Sequence, residues 1–274
     1  MAILGAAAGG AFPQLTITTS MTWVPPQDGT VCIHVVAAGG SGYGGSGGVV
    51  AGGGAGAYGK VPSLAVTTSG SFTLVVGSGG IGGANNNSYS AGVGGSSQIS
   101  GTGLTGTKTA GGGYRGSNAG QGSTNGAGGT VSGSGEGWAG NSGGAALTSG
   151  GAVGIYGTGQ AGTDAMHIGG GGMTDARAGG LGMSGFGIIC GGSQVSYSAS
   201  LYQHQEQQTT PPVAGDLCGG GAIDVSSANQ YTPVFGGRGG IGGGGGGGKN
   251  RGSVADSFGG NGGDGIILIQ YLPW

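Results

Sequence analysis

The chain has 274 residues, 81 of them glycine and only 6% charged, with a formal net charge of −2. Ordinary domains carry about 7% glycine and ~25% charged residues, so this is not an ordinary globular enzyme composition. The 7 basic residues are scattered singly, which excludes a basic nucleic-acid patch and a polybasic membrane segment. No apolar run reaches the roughly 18 residues of a membrane-spanning helix.

Collagen requires glycine at every third position throughout and abundant proline. Here the glycine runs hold no single phase along the chain, and only 8 prolines occur. Disorder fits poorly too. Hydrophobic residues reach 35%, mean hydropathy is +0.09, and the apolar residues fall in short β-like runs that flexible linkers lack. What remains is an ordered, glycine-packed fold of one domain or at most two. The opening MAILGAAAGGAF has no positive n-region and does not read as a signal peptide. Cys32, Cys190 and Cys218 are too few for a disulfide framework, and synthesis in a reducing cytosol is the simpler reading. A Cys190–Cys218 bridge stays open.

Thr16-Ile17-Thr18 reads as a short strand, and Met21 to Pro26 leads into an Asp28-Gly29 turn. The β-branched run from Val31 to Val36 reads as a strand that stops at Ala37-Ala38-Gly39-Gly40. After a glycine tract, Tyr58 to Val66 predicts a second long strand, with Pro62 at an edge or a bulge. A turn at Thr67–Gly70 precedes an alternating strand from Ser71 to Val76. Shorter strands are expected at Ser96–Ser100 and Thr105–Ala110.

From 111 to 192, glycine tracts alternate with inserts at Tyr114-Arg115, Glu136-Gly137-Trp138, Ile155-Tyr156, Met166-His167-Ile168 and Asp175-Ala176-Arg177. Residues 193–217 are polar and nearly glycine-free, and a second glycine block spans 236–248. The closing segment Gly265 to Leu272 is the strongest strand and is apolar enough to want burial on both faces. Pairing it with the N-terminal strands would staple the two ends of the glycine region together. Trp23, Phe72, Ile266, Leu268 and Tyr271 are expected in the core.

Glycine loses the most backbone entropy on folding, and its tracts have no side chains to bury in return. The backbone itself is the remaining source of order. In a threefold extended helix, N–H and C=O groups point outward and stay unpaired within the helix. Glycine lets such helices approach closely and bond to one another, and buried backbone groups must find partners. The tracts are therefore expected to pack as a bundle, with the inserts displayed from a rigid scaffold.

On these residues the chain resembles the glycine-rich domain family found in phage tail-fibre proteins. The resemblance rests on Trp23-Val24-Pro25, then VCIHVVAAGGSG and AGGGAGAYGKVPSLAVTTSGSFTLVVGSGGIGG. GGSSQIS, TAGGGYRG and GGNGGDGIILIQYL follow in the family's order, so it runs from about Met21 to Leu272. The chain is also similar to the polyglycine-helix adhesins of T-even-type bacteriophages, although residues 1–22 do not match their fibre-attachment region closely. A similar glycine-helix arrangement occurs outside the cell in certain receptor tyrosine kinases, whose cysteines, kinase and membrane segment are lacking here.

The resemblance implies a mainly β fold with essentially no α-helix. A small β-sandwich framework from the N- and C-terminal strands would carry a bundle of packed polyglycine II helices. Four parts are expected: an attachment segment at 1–22, a β framework with the first glycine tracts at 23–110, a polyglycine-helix region with display loops at 111–264, and a closing strand at 265–274. The implied role is a non-catalytic tail-fibre tip adhesin of the virion that recognises the host cell surface. Its receptor would be a glycan or an outer-membrane protein, and it would attach to a larger tail-fibre or tail protein. A homotrimer and a monomeric tip are both compatible. The alternative is a structural virion component that binds no receptor, such as a fibre connector or capsid decoration.

Tyrosine and tryptophan give large contact area at low entropy cost. The candidate receptor contacts are therefore Tyr89, Tyr114, Trp138, Tyr156, His167, Tyr197, Tyr202 and His204, with 193–210 the foremost stretch; the competing role is capping of the bundle from inside, or docking of a partner subunit. Asp164, His167 and Asp175 could hold a metal only if a loop gathered them, and an exposed polar loop is the favoured reading. His34 sits in a strand and reads as a partly buried or edge residue. Glycine patterns such as Gly79-Gly80-Ile81-Gly82-Gly83 arise by chance in this composition, and no phosphate-binding loop or activated nucleophile accompanies them. No cofactor and no nucleic acid are expected, and scarce carboxylate pairs disfavour a glycan-degrading enzyme.

Overall fold

The computed structural model describes residues 3–5, 14–45, 51–84, 91–117, 126–140, 142–143, 223–225, 234–250 and 257–273. The β-branched and aromatic runs form strands, as their propensities dictate. In chain order these are β1 (Ile3–Gly5), β2 (Gln14–Ile17), β3 (Met21–Trp23), β4 (Gly29–Val36), β5 (Gly44–Gly45), β6 (Tyr58–Val66), β7 (Phe72–Val75) and β8 (Ser97–Gly101). There follow β9 (Lys108–Ala110), β10 (Val131–Ser132), β11 (Glu136–Trp138), β12 (Ile223–Val225), β13 (Val234–Phe235), β14 (Gly248–Asn250), β15 (Ser257–Phe258) and β16 (Ile266–Tyr271). No helix occurs among the described residues.

Two antiparallel sheets form the framework. One has the order β1-β2-β16-β4-β6-β11, the other β10-β9-β8-β7-β3. The closing strand lies inside the first sheet, with Ile269 opposite Leu15 on one side and Ile33 on the other. It therefore does staple the chain's two ends together. Pro62 falls at a register shift, where Val31 faces Leu64 but Ile33 faces Val61, so it occupies a bulge in β6.

The sheets share one core. Ile17, Ile33, Val35, Leu64, Ile267 and Ile269 meet Trp23, Phe72, Leu74 and Ile99. Trp23 and Phe72 rings lie 5.2 Å apart at a tilt of 38°. On the opposite face of β16, Ile266 and Leu268 pack with Val36 and Tyr58, and Ile241 leans on them. Burial on both faces explains why this segment is continuously apolar rather than alternating.

From Val36 onward the chain leaves the sandwich as glycine tracts that run away from it and back. The tract at 37–44 shows the bonding rule. The N–H groups of Ala37, Gly40 and Tyr43 bond to the carbonyls of Ala57, Gly54 and Ala51. Those of Ala38 and Ser41 bond to Gly95 and Gly92, and those of Gly39 and Gly42 to Gly263 and Gly260. Its carbonyls accept in the same way. Ala38 and Ser41 receive Gly113 and Gly116, Gly39 and Gly42 receive Gly80 and Gly83, and Gly40 and Tyr43 receive Gly245 and Gly248. Each neighbour is thus met once every third residue, the signature of a threefold extended helix surrounded by others.

Close approach requires glycine here. A Cβ on Gly39 or Gly42 would overlap the carbonyl of Gly243 or Gly246. Among the outer tracts the same period governs exposure. Ser78 and Ile81 are exposed while Gly77, Gly80 and Gly83 are buried; Asn261 and Asp264 are exposed while Gly260 and Gly263 are buried.

The glycine lattice begins at Ala37 and draws on the first tracts at 51–57, 77–83 and 91–95 as well as on later residues. Two local readings differ from the sequence. Glu136-Gly137-Trp138 is strand β11 at the edge of the first sheet, not a loop insert. Gln14–Ile17 and Met21–Trp23 contribute a strand to each sheet.

Candidate functional site

Because donors and acceptors pair in strict register, each tract has a definite near and far end. Ala37, Ala57, Gly77, Gly95, Gly111, Thr130 and Gly265 adjoin the sandwich strands in sequence. The opposite ends come together at the far pole. There β14 pairs in parallel with both β12 and β5, β13 pairs in parallel with β15, and Ala84 bridges to Phe258. Gly126 receives the amide of Gly143, and Ser117 receives that of Ala51, at the same pole.

Of the candidate contacts, Tyr114 and Trp138 are described. Tyr114 is 55% exposed and Trp138 43%. Tyr114 lies within a tract rather than at its tip: its N–H bonds to Ala127 and its carbonyl receives Gly54. Trp138 stands opposite Tyr58 on β11, two residues from Glu136, whose carboxylate meets the Lys60 ammonium at 3.1 Å. The tracts that follow each aromatic flank 126–130 on either side, since Gly140 bonds to Gly129 as Tyr114 does to Ala127. Tyr89, Tyr156, His167, Tyr197, Tyr202 and His204 lie outside the described residues, as do Asp164, Asp175, Cys190 and Cys218. The ends that bracket them, Ala84 with Ala91 and Gly143 with Ile223, belong to the described part.

One polar cluster was not foreseen. Cys32 and His34 alternate with the core residues of β4 and so face away from the sandwich. His34 Nδ1 shares a hydrogen bond with the Tyr58 hydroxyl at 2.7 Å, and its Nε2 lies 3.4 Å from Cys32 Sγ. Burial, helped by the Lys60 charge, lowers the imidazole pKa from 6.5 to about 4. Burial also raises the Cys32 thiol and pushes the Tyr58 phenol well above its usual range. All three groups are therefore neutral near pH 7, which suits a structural network and not a thiolate nucleophile. The alternation in Val31 to Val36 was the sequence signal for this face. Among the described residues, no three His, Cys, Asp or Glu side chains are grouped to hold a metal.

The charged side chains of the outer tracts serve the lattice. Asp264 accepts the Gly79 N–H at 2.8 Å and pairs with Arg238 at 3.0 Å, while the Asn261 side chain accepts the Gly82 N–H at 2.8 Å.

A family model described as a glycine-rich domain matches residues 16–272. The chain belongs to this glycine-rich domain family. The match covers every described tract, the whole second sheet and all of the first except β1 and the start of β2, so sandwich and lattice fall within one family unit. No curated protein matches the chain.

Proposed function

We propose that this glycine-rich domain is a virion structural protein, a tail-fibre tip adhesin that recognises the host cell surface. The observation that carries this reading is the polarity of the bundle. The sandwich gathers one set of tract ends, and the described ends that bracket Tyr89, and those that bracket Tyr156 to His204, are gathered at the opposite pole. Rigid scaffolds with connections collected on one side are how many binding surfaces are built. The bare resemblance to tail-fibre sequences supplies the biological setting. Exposed Tyr114 and Trp138 would add aromatic contact area on the flank, suited to sugar rings or apolar receptor groups. Attachment to a larger tail-fibre or tail protein would use the N-terminal residues that precede β2.

The test is binding of the labelled full chain to intact cells of a panel of bacteria. An adhesin binds at least one strain saturably. Deleting 193–210, or making Tyr114→Ala with Trp138→Ala, then weakens binding by roughly tenfold or more with an unchanged melting temperature. Saturable binding to no strain favours the connector or decoration role, and release of sugar from host polysaccharide favours an enzyme.

A further inference from the structure

Among the described residues, one face of the lattice is left open. In the tract at 77–83, the N–H groups of Gly80 and Gly83 bond to Gly39 and Gly42. Those of Gly79 and Gly82 bond to the Asp264 and Asn261 side chains. The carbonyls of Ser78 and Ile81 accept Gly95 and Gly92, and those of Gly77, Gly80 and Gly83 accept Gly265, Gly262 and Gly259. Among the described residues, the N–H groups of Ser78 and Ile81, three residues apart, have no hydrogen-bond partner. On the adjoining tract the same holds for the carbonyl of Val93.

Between the two tracts runs a groove of about 590 Å³, walled by Val75, Val76, Ser78, Ile81, Val93 and Ser96 with glycines between them. None of these is charged. Ile81 is 68% exposed, Val93 50% and Val75 37%. Exposed positions on the other outer tracts are mostly polar or charged: Tyr114, Arg115, Thr130, Arg238, Asn261 and Asp264, beside Ala127. An apolar stripe with unspent donors on one wall and an unspent acceptor on the other is a vacant position of the threefold lattice.

The geometry points to a docking slot for a glycine-rich, uncharged segment of another polypeptide in threefold extended conformation. Its carbonyls would accept Ser78 and Ile81, whose spacing is one turn of such a helix, about 9.3 Å. One of its N–H groups would donate to Val93. Glycine is required where it faces the slot, for the reason seen inside the lattice, and an all-proline segment would lack the donor. A second copy of this chain is a poor occupant, because its described tracts already spend most of their amides on one another. This inference does not depend on host recognition.

The experiment uses the isotope-labelled full chain and a synthetic peptide of Gly-Gly-Asn triplets at about 1 mM. The expected result is a shift of the Ser78 and Ile81 amide resonances and at least a roughly tenfold slowing of their exchange. A polyproline peptide of the same length, which has no backbone N–H along its length, binds roughly tenfold more weakly. Ile81→Arg abolishes the effect with an unchanged melting temperature, and Thr130→Arg leaves it intact. Unmoved Ser78 and Ile81 resonances overturn the slot. Equal binding of the proline peptide overturns the lattice argument. A dimer whose Ser78 and Ile81 amides are already protected overturns the choice of occupant.

Discussion

At Gly42 a single methyl group decides whether two tracts can touch, because the added Cβ would overlap the Gly246 carbonyl, which cannot swing aside as a flexible side chain would. Gly42→Ala is therefore expected to cost at least about 2–3 kcal/mol, the upper range for overpacking. Ile81→Ala, on the exposed stripe, should cost under about 1 kcal/mol. The midpoint of denaturant unfolding reads both, and equal midpoints would refute the lattice argument. His34 makes a second test. Its folded pKa of about 4 lies below the ordinary 6.5, so the unfolded chain takes up the proton first as pH falls. Stability is full above about pH 6.5 and declines towards pH 4, by up to about 3 kcal/mol for the whole shift. Melting curves across that range should show this slope, and His34→Gln should flatten it. A wild-type curve that stays level would remove the claim.

Element by element, the long strands were legible in the sequence because β-branched residues crowd into them. Tyr58–Val66 was read to the residue, and the proline inside it marked the bulge. The crossing from β10 in one sheet to β11 in the other was not, because its turn glycines, Gly133 at φ 89° and Gly135 at φ 96°, are hidden in a chain where glycine is everywhere. The tracts carried a clearer signal than composition alone. Ser78, Ile81 and Ala84 stand three apart, as do Arg238 and Ile241, and Asn261 and Asp264. Each tract keeps its own phase and the connections reset it, so the period vanishes when the chain is scanned as a whole. If those tracts are helices locked to their neighbours, their amides should exchange as slowly as those of the central strands. Hydrogen exchange should find Gly39, Gly42, Gly54 and Gly245 protected like Ile33 and Ile269, with Ser78 and Ile81 fast; rapid exchange at the first group would mean no lattice.

For the whole molecule, the sequence pointed to a β framework closed by its last strand, and the structure has that arrangement. It did not reveal that tracts from both halves of the chain interleave, so that 37–44 touches 51–57 and 260–263 alike. Such long-range pairing leaves no local trace, since every glycine looks the same to its neighbours in sequence. The candidate aromatics were legible only as departures from that background. Whether each belongs to a tract, an edge or a connection depends on pairings that no stretch of sequence contains.

The far pole has a further consequence. Because the described ends on either side of 46–50, of 85–90 and of 118–125 belong to columns already bonded side by side, the span of each such crossing is set by the columns and not by what the crossing contains. Crossings can lengthen, shorten or change composition without altering the registry of the columns beneath them. The fold therefore separates what must stay constant from what is free to vary, and places the boundary at the last glycine of each column.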